Sequence, residues 1–463
     1  MAFDPSVYSD RRERLARDLG TGVAVFLGNA ESPMNYADNT YPFRQDATFL
    51  YFWALDRPDA TGVIDVDTGT HTLFLDATTL DDVIWMGPQA AVADQAAAAG
   101  VTRTASRAAL ADTVRAAVAA GRPVHVLPPY RAEHVLRLAE LLEVAPGEVS
   151  GRASVPLVRA IVAQRSVKSA GEIAEIEAAV SVTRDMHLLA MRTARPGVYE
   201  REVAGAMEGL ALARGGRLSF PVIFSVHGET LHNHVHANRM EAGQIAVNDS
   251  GAESAAHYAG DITRTLPIGG RFVGAQRDLY EAVLRAQLRA IDAIRPGVPY
   301  RDVHLLACRS LAEDLKTLGI VRGEVEAAVA AGAHALFMPH GLGHMLGLDV
   351  HDMENLGEDH VGYDETVQRS QQFGLRALRF GRAPQPGFVL TVEPGLYFIP
   401  ALIDRWQGEG RCADHLDYAV IDRFRGAGGL RIEDNVVVTE DGCRVLGPPI
   451  PKARGAVEER LQA

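Results

Sequence analysis

The alternation of apolar and polar positions predicts alternating helices and strands through the first third of the chain. Residues 8–19 have charges on one face of a helical pattern. Residues 22–28 form an apolar run between glycines, which is typical of a buried strand. A Thr-Gly turn between two later runs predicts a hairpin. The predicted helices are 8–19, 90–100 and 106–120, and the predicted strands are 22–28, 62–67, 71–76 and 124–127. These elements predict an α/β domain with a mixed sheet.

A capping box predicts where a second domain begins. Ser169 can accept a hydrogen bond from a helix N–H while the carboxylate of Glu172 reaches back to the backbone of Ser169. An apolar stripe from Ile173 onward then indicates a long helix, which an Arg-Pro-Gly segment at 195–197 ends. We therefore predict one domain at 1–168 and another at 169–463.

The second domain contains a weak internal repeat. Residues 195–203, RPGVYEREV, resemble residues 295–303, RPGVPYRDV. Each copy follows one predicted helix and opens another, and the spacing is too long for a solenoid repeat. The repeat favours two similar half-domains that face each other across a cleft, although Pro-Gly also recurs between helices by chance.

Composition narrows the function classes. The chain has 463 residues, of which 47% are hydrophobic and 23% charged, as in ordinary globular proteins. The net charge of −13 argues against nucleic-acid or anionic-membrane partners. Three scattered cysteines exclude a disulfide framework and a CxxC metal site. The chain lacks an apolar run of about 18 residues, and its charged start does not resemble a signal peptide. We therefore expect a cytoplasmic protein.

Carboxylates stand at the ends of several predicted strands. Asp249 and Asp261 belong to two strands with a short connection, so they can approach each other across a hairpin, where they repel unless a cation lies between them. Glu393 ends an apolar strand just before Pro-Gly. The period-2 pattern of a later strand places Arg431 and Glu433 on one face.

Three histidines lie within 12 residues among glycines, in the segment PHGLGHMLGLDVHD. A zinc-protease helix would need Glu directly after the first histidine, and Gly341 stands there instead. The pattern predicts a loop that enters a strand, with a metal ligand beside outer-shell or acid–base partners. The three histidines are His340, His344 and His351.

Four carboxylates buried in one cleft require positive charge to balance them. Two divalent cations would supply it. A set that is rich in oxygen ligands and has one imidazole suits Mn²⁺ first, and Co²⁺ or Zn²⁺ after it. Two such ions about 3.5–4 Å apart can acidify a shared water, which then attacks a carbonyl.

The segments HGLGHMLGLDVHD, LTVEPGLYF and GLRIEDNVVVTEDG resemble those of the metallopeptidase family that includes aminopeptidase P, prolidase and methionine aminopeptidase. The resemblance covers nearly the whole chain. It implies an α+β pita-bread catalytic domain with an internal pseudo-twofold duplication, following the α/β N-terminal domain. It also implies five ligands for two divalent ions. Asp261 and Glu433 would bridge both ions, Asp249 would bind one, and His344 and Glu393 would bind the other.

The resemblance implies further roles near the metals. His232, chosen by register over His234 and His236, would contact the substrate, and His351 would stabilise the tetrahedral intermediate. His232 or Glu393 would move the proton, so the expected catalytic residues are His232, His351 and Glu393. The expected substrate-site residues are His340 in the pocket lining, Arg379 for a substrate carboxylate, Arg431 behind the metals, and Trp85 for contact with a neighbouring subunit's site.

The implied activity is hydrolysis of Xaa-Pro bonds in peptides with proline in the second position. The segments YPFRQDATFLY and IWMG resemble the aminopeptidase P N-terminal domain, which favours an Xaa-Pro aminopeptidase. The long interval from Glu393 to Glu433, together with Arg379, favours the alternative, an Xaa-Pro dipeptidase (prolidase). The family's N-terminal domain contributes to assembly, so we expect a homodimer or homotetramer.

Two other functions are compatible with the same fold. A non-catalytic peptide-binding module or a metal-free enzyme resembling creatinase would be expected to lack metal ligands, and all five are present. The chain departs from the family in two places: Asp249 and Asp261 are one residue further apart than usual, and Ser254 replaces a tyrosine.

Overall fold

The computed structural model describes residues 3–462, which fall into two compact units. The N-terminal unit runs to Arg165 and also includes Met353–His360. The C-terminal unit comprises Ser166–Asp352 and the chain from Val361 onward. The domain ranges predicted from the sequence, 1–168 and 169–463, remain a prediction.

The N-terminal unit is built on a five-stranded mixed sheet in the order β4-β3-β2-β1-β5. The predicted hairpin is present, because β2 and β3 pair antiparallel from Thr61 opposite Phe74 to Asp65 opposite Thr70. Strands β4 and β5 join in parallel at the two edges. The strands are β1 Val23–Leu27, β2 Thr61–Asp65, β3 Thr70–Phe74, β4 Arg103–Ala105 and β5 Val124–His125.

Helices flank this sheet and supply its apolar core. Val114 and Leu138 from two helices pack with Val25 and Val63 of the sheet. The helices, as far as the start of the second unit, are α1 Pro5–Leu19, α2 Ala47–Trp53, α3 Leu80–Met86, α4 Val92–Ala98, α5 Leu110–Ala119, α6 Ala132–Leu142 and α7 Val155–Ser166, with 3₁₀ turns at Arg107–Ala109 and Pro146–Arg152.

The C-terminal unit begins at the predicted capping box. The Ser169 hydroxyl accepts a hydrogen bond from the Glu172 N–H at 3.3 Å, and the Glu172 carboxylate accepts one from the Ser169 N–H at 3.0 Å. The helix that follows, α8 Ala170–Thr193, is 24 residues long. Both predictions, the cap and the long helix, are therefore confirmed.

The element order of the C-terminal unit repeats. In each half a long helix leads through Arg-Pro-Gly into a second helix and then into antiparallel strands. Gly197 and Gly297 both have positive φ angles, 92° and 81°, so each copy of the motif makes the same turn, which favours glycine. The first half contains α8, α9 Glu200–Ala213, β6 Ile223–Ser225, β7 Ile245–Ser250 and β8 Ile262–Pro267.

The second half has the same plan with insertions. Its helices are α10 Ala275–Ala293, α11 Tyr300–Thr317, α12 Val325–Ala330, α14 Pro400–Gly408, α15 Tyr418–Ile421 and α16 Arg454–Gln462. Its strands are β9 Val389–Val392, β10 Gly395–Tyr397, β11 Gly429–Arg431, β12 Asp434–Val438 and β13 Cys443–Val445. Its 3₁₀ turns are Ala333–Leu336, Leu375–Ala377 and Asp422–Phe424. The 3₁₀ turn Glu354–Leu356 and the start of α13 Glu358–Val361 lie in the segment Met353–His360 of the N-terminal unit. The sheets are β6-β7-β8, β13-β12-β9 and β10-β11, all antiparallel.

None of the helices in residues 3–462 has the length and hydropathy needed to cross a membrane.

Candidate metal centre

Strand pairing brings the two aspartates together. In the β7–β8 ladder, Asp249 lies opposite Thr263, and Asp261 immediately precedes β8. Asn435 holds the backbone at this point: its side-chain oxygen accepts from the Asp261 N–H at 3.0 Å, and its amide donates to the Asp261 carbonyl. Both aspartates are buried. The predicted approach across a hairpin is therefore present.

The two glutamates reach the same place from the other half. Glu393 directly follows β9, and Asp434, the neighbour of Glu433, pairs with Val392 at the end of that strand. The Glu433 N–H donates to the Thr263 carbonyl at 3.0 Å. The Thr263 hydroxyl donates to the Glu433 carboxylate at 2.8 Å. Contacts to β8 thus join the carboxylates of the two halves.

The imidazole of His344 is oriented by its backbone surroundings. Its Nδ1 lies 2.9 Å from the Met345 carbonyl, so Nδ1 carries the proton and Nε2 keeps its lone pair. Nε2 lies 3.4 Å from an Asp261 oxygen and 3.6 Å from a Glu393 oxygen. At these separations, the His344 nitrogen and the two carboxylate oxygens can bind the same cation.

A glycine allows this close approach. A Cβ on Gly343 would lie 2.0 Å from the carbonyl oxygen of Thr391, so no other residue fits without backbone movement. The same Thr391 accepts from the His344 N–H through its hydroxyl at 3.1 Å. The backbone of this glycine-rich segment is therefore tightly packed against Thr391.

Arg431 is buried behind the carboxylates. Its guanidinium donates to an Asp249 oxygen, to the Thr263 hydroxyl at 3.1 Å and to the Tyr397 hydroxyl at 2.8 Å. Tyr397 also lies 2.9 Å from Nε2 of His340. Sequence reasoning did not single out Tyr397, although it stands in the LTVEPGLYF segment.

The cluster has an excess of negative charge. Burial, reinforced by the Asp249 charge, raises the pKa of Asp261 to about 8, and burial raises the pKa of Glu393 to about 7. Burial and the neighbouring carboxylates raise the pKa of Glu433 well above its usual range. Arg431 pairs with this set through Asp249 and supplies a single positive charge.

Two buried side-chain oxygen atoms lack hydrogen-bond partners within residues 3–462. They are Oδ1 of Asp249 and Oε1 of Glu433, both fully buried. Ligand atoms of Asp261, His344 and Glu433 lie within 4.8 Å of one another. Oxygen donors, one oriented imidazole nitrogen and uncompensated charge fit divalent cations, which would satisfy both the orphaned oxygens and the charge.

A cavity of about 320 Å³ opens onto this cluster. It brings together ten of the residues singled out by the sequence, which are Asp249, Asp261, His344, Glu393, Glu433, His232, His340, His351, Arg379 and Arg431. His234, which sequence reasoning set aside in favour of His232, also lines it. Apolar side chains form another part of the wall, and these are Phe220, Pro221, Ile223, Leu231 and Val350.

The histidines around the cavity differ in their surroundings. The His351 ring lies 4.0 Å from the His344 ring, measured between centroids, so it stands beside the candidate ligands. Desolvation and the nearby Arg431 charge lower the pKa of His340 to about 3, which keeps this imidazole neutral. His232 is exposed at the cavity wall, where a substrate can contact it.

Trp85 is not among the residues that line the cavity. It lies on α3 in the N-terminal unit, a helix with no buried residue, and its side chain is 82% exposed. Its expected contact is with another subunit, so that role stays a prediction.

Comparison with known proteins gives concordant results. The model of the family described as "Metallopeptidase family M24" matches residues 174–440. The model of the family described as "Aminopeptidase P, N-terminal domain" matches residues 8–126. The chain is 35% identical over 453 residues to the Xaa-Pro dipeptidase of Homo sapiens, covering 94% of this chain and 88% of the relative. It is 30% identical over 467 residues to the Xaa-Pro aminopeptidase of Escherichia coli K12, covering 98% and 97%. Zinc-substituted E. coli aminopeptidase P in complex with product superposes with a TM-score of 0.81 at 29% identity, covering 99% and 98% of the chains.

Proposed function

The chain belongs to metallopeptidase family M24 and is a metallo-exopeptidase, and we propose that it releases the N-terminal residue of peptides with proline in the second position. The pita-bread fold class and the family expected from the motifs are thereby confirmed. The observation that carries the proposal is the convergence of four carboxylates and one oriented imidazole in a cavity that also has an apolar wall.

The protein binds divalent metal, and the finer proposal is two ions, with Mn²⁺ preferred over Co²⁺ and Zn²⁺ because oxygen ligands dominate. Asp261 and Glu433 would bridge the ions, Asp249 would hold one through its unpartnered oxygen, and His344 and Glu393 would hold the other. When bound, two such ions acidify a water and polarise the scissile carbonyl.

The remaining residues position the substrate and move its proton. His351, whose ring lies 4.0 Å from that of His344, would donate a hydrogen bond to the carbonyl oxygen as negative charge develops on it. His232 or Glu393 delivers a proton to the leaving proline nitrogen. The apolar wall, which includes Phe220 and Val350, offers a surface for the proline ring.

A dipeptidase is the second candidate, and two observations favour it. Arg379 lines the cavity and can pair with the free carboxylate of a dipeptide. The Xaa-Pro dipeptidase relative is also more similar to this chain, at 35% identity, than the E. coli aminopeptidase, at 30%.

Substrate length decides between the two candidates. We expect Ala-Pro-Ala and longer peptides to be cleaved at least as well as Ala-Pro, measured as kcat/KM. Turnover of Ala-Pro alone would overturn the aminopeptidase proposal and establish the dipeptidase. In that case Arg379→Gln should raise KM for Ala-Pro. Arg376→Gln, an exposed arginine three residues earlier that does not line the cavity, serves as the matched control.

We also propose that the chain forms a homodimer or homotetramer through a surface that includes α3. This helix exposes Leu80, Ile84, Trp85 and Met86, an apolar patch that is unusual for a free surface. Sedimentation should show an oligomer, and Trp85→Glu should weaken it. A wild-type monomer at micromolar concentration would rule the oligomer out.

A further inference from the structure

A second group of metal-binding side chains lies in the core of the C-terminal unit. His304 and Cys308 stand one turn apart on α11, so both side chains lie on the same helix face. His334 belongs to the 3₁₀ turn Ala333–Leu336, which contacts α11. Donor atoms of the three side chains lie within 4.8 Å of one another. None of the three lines the catalytic cavity.

The imidazoles in this cluster are short of hydrogen-bond partners. His304 is fully buried and His334 is 3% exposed. Nδ1 of His304 has no hydrogen-bond partner among the described residues, and the His334 ring makes no well-formed hydrogen bond there, although the Val329 backbone lies close enough to act on its pKa. The remaining nitrogen, Nε2 of His304, faces the Cys308 sulfur at 3.4 Å. A neutral imidazole has one donor and one acceptor, and native cores seldom leave both unsatisfied.

The donor set has the chemistry of a zinc site. Zinc bonds to histidine nitrogen at about 2.0–2.1 Å and to cysteine sulfur at about 2.3 Å, so neighbouring ligand atoms in a tetrahedral site lie about 3.3–3.7 Å apart. The nitrogen–sulfur distance of 3.4 Å falls in that range. Burial lowers the pKa of His304 to about 3 and that of His334 to about 4, so both rings keep a lone pair for a metal.

We propose that His304, Cys308 and His334 bind a single zinc-class transition-metal ion, at a site separate from the catalytic cavity. Binding replaces the thiol proton, so one proton is released to solvent for each ion bound and the sulfur becomes a thiolate ligand. The thiolate selects a softer metal than the oxygen-rich cavity does, so the two sites would differ in metal preference. The ion would join α11 to the segment that leads directly to His340 and His344.

Cobalt tests the proposal, because a thiolate ligand gives Co²⁺ a strong near-ultraviolet charge-transfer band that oxygen and nitrogen ligands do not. The chain has three cysteines, so Cys412→Ser combined with Cys443→Ser leaves Cys308 as the single thiol. This double variant is produced in cells supplied with Co²⁺, so that the ion is present while the chain folds. Visible cobalt bands from the catalytic cavity serve as an internal control for loading.

We expect the double variant to show the charge-transfer band and to lose it on adding Cys308→Ser. In a separate experiment, adding His334→Leu to the double variant should weaken the charge-transfer band. In zinc-loaded double variant, X-ray absorption should show a sulfur scatterer at about 2.3 Å. A loaded double variant with neither the band nor the sulfur scatterer would overturn the site, whether or not the triple variant folds. The proposed peptidase activity does not depend on this outcome, because its ligands lie in the cavity.

Discussion

Glu433 and Asp434 are neighbours in the sequence, and both are buried, yet their surroundings shift their pKa values in opposite directions. Glu433 faces the catalytic cavity, where burial and other carboxylates raise its pKa well above the usual range. Asp434 points to the other side of the strand, where Arg264 and Lys452 lower its pKa to about 2 despite burial. Successive side chains of β8 point to opposite faces of the sheet. Thr263 therefore hydrogen-bonds to Glu433 on one face, and Arg264 pairs with Asp434 on the other.

The difference separates a structural carboxylate from a functional one. The charge of Asp434 is balanced by cations within the chain, so this carboxylate can be buried in its ionised form without any external group. Glu433 and its neighbours share the cation Arg431, which pairs with Asp249, so their remaining charge is neutralised by protons in the metal-free protein or by an external cation. A buried carboxylate that the protein leaves unbalanced is therefore a better indicator of a metal site than a buried carboxylate alone.

Removing the unbalanced charge should have the largest effect on function. Glu433→Gln should lower kcat/KM by at least about 10²-fold, since even outer-shell changes at metal sites cost 10–100-fold. Bound Mn²⁺, measured by elemental analysis, should fall as well. The metal-free variant should be no less stable than the metal-free wild type. Glu440→Gln, an exposed position beyond the same strand, is the control and should change none of these. Unchanged metal content and activity in Glu433→Gln would contradict the assignment.

Removing the balanced charge should affect stability instead. Asp434→Asn leaves Arg264 and Lys452 without their carboxylate, and breaking a buried pair in this way costs about 3–5 kcal/mol. Urea unfolding measures the loss, with the exposed Asp441→Asn as a control. A loss no greater than that of the control would show that Asp434 is not a structural charge.

The two groups should also give opposite pH dependences. The pKa of Asp261 is raised from 3.8 to about 8 in the folded metal-free protein, so its contribution to stability is full below pH 3.8 and is lost as pH rises through 8. The pKa of Asp434 is lowered from 3.8 to about 2, so its contribution is present above pH 3.8 and is lost as pH falls through 2.

Relative to chelated Asp261→Asn, which retains the opposing contribution of the buried histidines, we therefore expect chelated wild type to gain about 1 kcal/mol per pH unit as pH falls from 7 to 5. Unfolding of the two proteins across this range, chelated and Mn²⁺-loaded, measures the gain. It should be smaller with Mn²⁺ present, because the cation favours the ionised carboxylates. Identical pH profiles for chelated and loaded protein would contradict this prediction.

The smallest loss of stability is expected at Gln287, which lies beside the ion pairs of Asp434 with Arg264 and Lys452. Gln287 donates to Asp434 at 2.8 Å and accepts from Lys452 at 2.9 Å. Gln287→Met should cost about 1–2 kcal/mol, since the ion pairs to Asp434 remain. A loss as large as that of Asp434→Asn would mean that the amide, and not the cations, holds the carboxylate in place.

Local features were predictable wherever a short stretch of chain determines them. The capping box at Ser169 and the hairpin of β2 and β3 depend on neighbouring residues, so their sequence patterns were sufficient. By contrast, α2 was missed because every residue in Ala47–Trp53 is buried, and a helix without a polar face has no amphipathic period.

Long-range contacts were harder to predict. His304 and Cys308 are one helical turn apart, but no sequence spacing links them to His334 in another element, so only folding shows that the three meet. The role of Tyr397 as a bridge between Arg431 and His340 likewise depends on the β10–β11 pairing.

The sequence by itself determined which strands end in carboxylates, which loop carries the histidines, and which family these motifs resemble, because each of these features is a local pattern. Only the tertiary structure decided which buried carboxylates are neutralised within the chain. That outcome depends on which side of β12 faces Arg264 and Lys452 and which side faces the cavity, and strand pairing between residues distant in sequence sets both.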